Sequence, residues 1–131
     1  MSVQFNCGLA YGYRVEDWNL GWLVDQKKTS DDYKEYLKIS NELEKRLKDE
    51  FGVAVYDYGT DWATGEYLGS VVGIISTAVG FDQYDFPECK LVGITQPTEE
   101  QINLLNRAIA FLGPDNDKIK ERGWHLYLYA C

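Results

Sequence analysis

From Val3 to Arg14 the chain alternates without a break. Val3, Phe5, Cys7, Leu9, Tyr11 and Tyr13 fall on one side, and Gln4, Asn6, Gly8, Ala10, Gly12 and Arg14 on the other. A period of two sends successive side chains to opposite faces of extended backbone, so this segment predicts a long, half-buried strand. A strand of that length needs partners along its edges and cover on its apolar face, which excludes an all-helical fold.

The rest of the chain supplies both. Residues 15–28 hold Trp18, Gly21 and Trp22 with no clear period and read as a connection. If residues 16–23 form a helical turn, the i, i+4 spacing sets both tryptophans on one side. Such rings either close one end of a core or anchor an interface. A long helix is expected from about Asp31 to Glu50. Thr29 would cap it, Tyr33, Tyr36, Leu37, Leu43 and Leu47 would form its apolar stripe, and Gly52 would take the left-handed position beyond it.

Strands are then expected at 53–58 and 70–80, where β-branched and aromatic residues dominate, with a short one at 90–95. A second helix opens at Pro97-Thr98, with Thr98 and Gln101 as a capping box and Glu99 and Glu100 in the first turn. Ile102, Leu105, Ile109 and Leu112 form its stripe, and Gly113-Pro114 ends it. In the closing strand Trp124, Leu126 and Leu128 alternate with His125, Tyr127 and Tyr129.

The order β-α-β-β-(β)-α-β over 131 residues fits one α+β domain, residues 1–131. Two helices would cover one face of an antiparallel sheet in a ferredoxin-like (split βαβ) sandwich, with the other sheet face open. With 45% apolar and 15% aromatic residues, such a chain can build its own core. There is no apolar run long enough to cross a bilayer and no secretory start pattern. Cys7, Cys89 and Cys131 are odd in number and scattered, which suits a reducing, cytoplasmic setting.

The net charge is −8, from 13 Lys plus Arg against 21 Asp plus Glu. A domain that grips phosphate backbones carries the opposite balance, so direct nucleic-acid binding is not expected. The excess is also local. Residues 1–28 and 89–131 are each neutral, whereas 52–88 contain six carboxylates and no Lys or Arg. Those carboxylates, Asp57, Asp61, Glu66, Asp82, Asp85 and Glu88, are interleaved with rings. Tyr56, Tyr58, Trp62 and Tyr67 lie in the first cluster, and Tyr84 and Phe86 in the second. Rings supply anchoring area and carboxylates supply complementarity to Lys and Arg. Where such residues only pack under sheet ends and keep loops solvated, the same pattern has no functional meaning.

Motifs for chemistry are absent. An EF-hand counted from Asp57 would need Gly and Glu where Trp62 and Leu68 stand. There is no phosphate loop, and the RNP pattern of stacking aromatics is missing around Tyr127 and Tyr129. The lone His125 could pair with Cys7 or Cys89 only if their strands are neighbours. No cofactor and no metal is expected.

The small-residue row Gly8, Ala10 and Gly12 would admit another backbone, a ring or a second subunit, or simply large neighbours leaning over it. In size, acidity and lack of a catalytic motif, the chain is similar to phage-encoded accessory proteins that bind and inhibit host or defence proteins. The expectation is therefore a non-enzymatic, acidic interaction protein whose 52–88 stretch meets a basic protein partner, such as a nucleic-acid-binding protein. One alternative is a small-ligand or regulatory module that uses the open sheet face. Another is an enzyme that uses carboxylates and His125.

Overall fold

The computed structural model describes residues 5–60, 63–64, 67–82 and 94–130. It is an α+β structure with a five-stranded antiparallel sheet and three α-helices. The alternating segment is β1 (Phe5–Glu16), the central strand. One edge of β1 pairs along nearly its whole length with β5 (Ile119–Ala130). The other edge is shared. Gly12–Glu16 of β1 pair with β3 (Tyr67–Ile74), and Asn6–Leu9 pair with β4 (Val79–Asp82). β2 (Val53–Thr60) closes the sheet outside β3.

The expected single strand at 70–80 is thus two strands, broken by a 3-10 turn at Ile75–Thr77. Thr77 makes the break tolerable. Its hydroxyl donates to the Ile74 carbonyl at 2.7 Å and accepts the Tyr11 N–H at 3.1 Å. Tyr11 lies between the two ladders, so the side chain replaces the missing strand partner. For the short strand expected at 90–95, residues 90–93 lie outside the described residues, and Ile94 and Thr95 are not extended into the sheet.

Two helix expectations need correction. The connection at 15–28 contains α1 (Leu20–Lys27), capped by Asn19, whose side chain accepts the Trp22 N–H at 2.8 Å. Trp18 precedes the cap and is buried (8% exposed), whereas Trp22 is 41% exposed, so the two rings do not share a side. α2 spans Tyr33–Arg46 and continues into a wider π turn at Leu47–Phe51, with Gly52 left-handed at φ 65°. Its N-cap is Asp32 rather than Thr29. Thr29 instead donates both its backbone N–H and its hydroxyl to Glu35, and Ser30 donates to the other Glu35 oxygen. Tyr33 (68% exposed) and Leu37 face solvent, and the buried stripe runs through Leu43 and Leu47, with Tyr36 and Ile39 packed at its margin. α3 (Glu99–Leu112) follows expectation, with the Thr98/Gln101 capping box formed and Gly113 left-handed.

All three helices cover one face of the sheet. Val24 of α1, Leu43 and Leu47, and Leu105 and Leu112 of α3 meet Val15, Val53 and Val72 in the main core. A smaller cluster of Ala10, Val71 and Tyr127, with Tyr56 and Ala78 against it, lies on the opposite face. That face is therefore not left open over its whole extent. The Tyr127 ring lies over Gly8, where a Cβ would meet its Cζ at 2.1 Å, and Tyr56 leans over Gly73. Bulky neighbours over a row of small residues account for Gly8 and Ala10 without a ligand.

Candidate functional site

Tyr56 and Asp57 are consecutive on β2, so they face opposite sides of the sheet. Tyr56 stacks on Tyr127, with centroids 4.6 Å apart and planes 16° apart, and burial pushes its phenol pKa up. The ring is half-buried and packs against the smaller cluster. Asp57 is exposed on the helix side and lines a pocket of about 300 Å³ where α1, α2 and β2 converge.

The pocket is built by three local rules. Tyr36, Ser40 and Glu44 are spaced i, i+4, i+8 and form one row on α2. Val55 and Asp57 are two apart on β2 and share a face. The third wall comes from the start of α1, through Asn19, Leu20 and Gly21. Tyr36 and Asn19 pack closely on Gly21, where a Cβ would lie 2.7 Å from the Tyr36 hydroxyl oxygen and 3.0 Å from Asn19 Oδ1. Two carboxylates, a phenol and a hydroxyl thus converge on a cavity whose described walls carry no Lys or Arg. Glu44 is outside the ion pairs of the described residues. Such a lining accepts hydrogen bonds and favours positive charge.

Of the remaining residues singled out in 52–88, Tyr58, Tyr67 and Asp82 lie on β2, β3 and β4. β2 bulges between Asp57 and Gly59, at Tyr58. Asp61, Trp62, Glu66, Tyr84, Asp85, Phe86 and Glu88 lie outside the described residues. Sequence reasoning missed Glu44, Ser40 and Gly21. The polar i, i+4, i+8 row beside Leu43 and Leu47 was a usable signal. Its meaning depends on α1, which had no period to announce it.

Of the other chemical candidates, Cys89 lies outside the described residues, and His125 and Cys7 are not cross-strand partners. His125 lies opposite Ala10 across the β1–β5 ladder, and Cys7 lies opposite Leu128, three positions further along. The ring nitrogen Nε2 of His125 is 2.8 Å from the Glu121 carbonyl oxygen. Among the described residues no three His, Cys, Asp or Glu are grouped to hold a metal ion. No helix among them is long and apolar enough to cross a membrane.

Fold and site together define an α+β protein with a three-helix cover and an acid-lined pocket at one edge of that cover. No known protein family, curated protein or solved structure matches the chain.

Proposed function

We propose that this is a small acidic interaction protein that binds a basic protein partner, such as a nucleic-acid-binding protein, and inhibits it by occupying its cationic surface. The observation that carries the reading is the concentration of six carboxylates, without a single Lys or Arg, in residues 52–88. Asp57 adds to it, since it shares a pocket with Glu44 and no cationic side chain among the described residues lines that pocket. Opposed surface potentials steer encounter and reject partners of like charge, so an acidic stretch of this kind selects a basic target. Occlusion of a nucleic-acid channel by charge mimicry is the inhibitory mode this supports.

The fold belongs to the same reading. β1 and β2 run parallel with β3 between them, β5 lies on the far side of β1, and helices fill the crossovers. We read this order as a ferredoxin-like split βαβ. The scattered cysteines support a cytoplasmic setting.

The test is affinity capture of the partner from the native host, followed by binding of the purified pair across a salt series. Affinity should fall as ionic strength rises, and Asp57→Lys combined with Asp61→Lys should abolish it. Full binding by that double variant sinks the proposal.

A further inference from the structure

We draw no further inference here: the strongest candidate, the apolar patch where Leu9 of β1 lies between Val79 of β4 and the exposed Leu126 of β5, is a sheet face for which nothing in the structure shows what covers it.

Discussion

Tyr56 on β2 and Tyr127 on β5 come from opposite margins of the sheet, yet their rings stack 4.6 Å apart. Two strands, β3 and β1, separate them in the hydrogen-bonded order, so the sheet must curl strongly on this side. The small residues Gly8, Ala10 and Gly73 leave room for the two rings beneath that curl.

Tyr127 is therefore expected to be the main support of the smaller cluster. It is 6% exposed, and truncation of a buried ring of this size costs about 3–5 kcal/mol. Tyr127→Ala should show that loss in urea unfolding. A double-mutant cycle with Tyr56→Ala should return a coupling of about 0.5–1.5 kcal/mol, as stacked rings give. A loss below about 1 kcal/mol for Tyr127→Ala would mean that the stack carries little of the fold.

The paired glycines Gly12 and Gly123 should respond differently to alanine. Across the β1–β5 ladder they are direct partners. A Cβ on Gly12 would meet the Val72 carbonyl oxygen at 2.0 Å, which is backbone and has nowhere to go, whereas a Cβ on Gly123 meets nothing within 4 Å. Gly12→Ala should cost about 1–3 kcal/mol through overpacking. Gly123→Ala should be neutral or gain up to about 1 kcal/mol, because alanine loses less backbone entropy. Thermal melts of the two variants compare them directly.

Thr77 bridges the gap between β3 and β4, and its hydroxyl is the part that matters. Thr77→Val keeps the shape but leaves the Tyr11 N–H without its acceptor, at an expected cost of about 1–3 kcal/mol. Thr77→Ser should retain most of the stability. Amide hydrogen exchange at Tyr11 should accelerate in the valine variant and not in the serine one.

The turn before α2 should record its own pH dependence. Hydrogen bonds from the Ser30 hydroxyl, then from the Thr29 backbone and hydroxyl, lower the Glu35 pKa from 4.5 to about 2. A carboxylate whose folded pKa is depressed contributes stability above its unfolded pKa and loses it as pH falls through the folded one. The contribution is thus complete above about pH 5 and fades between there and the Glu35 value near 2. Carbon-detected titration of the Glu35 carboxyl should give that low midpoint, and Ser30→Ala with Thr29→Ala should move it back towards 4.5. A midpoint near 4.5 in the wild type would show that these hydrogen bonds do not form in solution.

What could be read from sequence was what depends on a few consecutive residues. The alternation of β1, the Thr98/Gln101 box, the left-handed Gly52 and the helix stop at Gly113 are all local patterns, and all four stand. α1 escaped because eight residues with Gly21 and Trp22 carry little amphipathic signal. Thr29 looked like a cap because its type and spacing fit, but the Glu35 carboxylate competes for it and leaves Asp32 to do the capping. The turn in the run at 70–80 is Ile75-Ser76-Thr77, without Gly, Pro, Asn or Asp, so composition did not mark the break at Ile75. The pocket was hidden for a different reason. Asp57 was singled out by charge, but its neighbours Ser40 and Glu44 acquire a role only when α2 folds against β2.

The central strand β1 has a consequence for the order of assembly. Its longest ladder is with β5, so side chains as far apart in sequence as Tyr11 and Arg122, 111 positions, meet directly. During synthesis β1 emerges long before β5 exists, and one of its edges stays uncovered until nearly all of this segment has left the ribosome. An unpaired edge is a template for wrong pairing, and closure of so long a loop slows folding. For this chain, the period of greatest exposure to misassembly falls before β5 emerges.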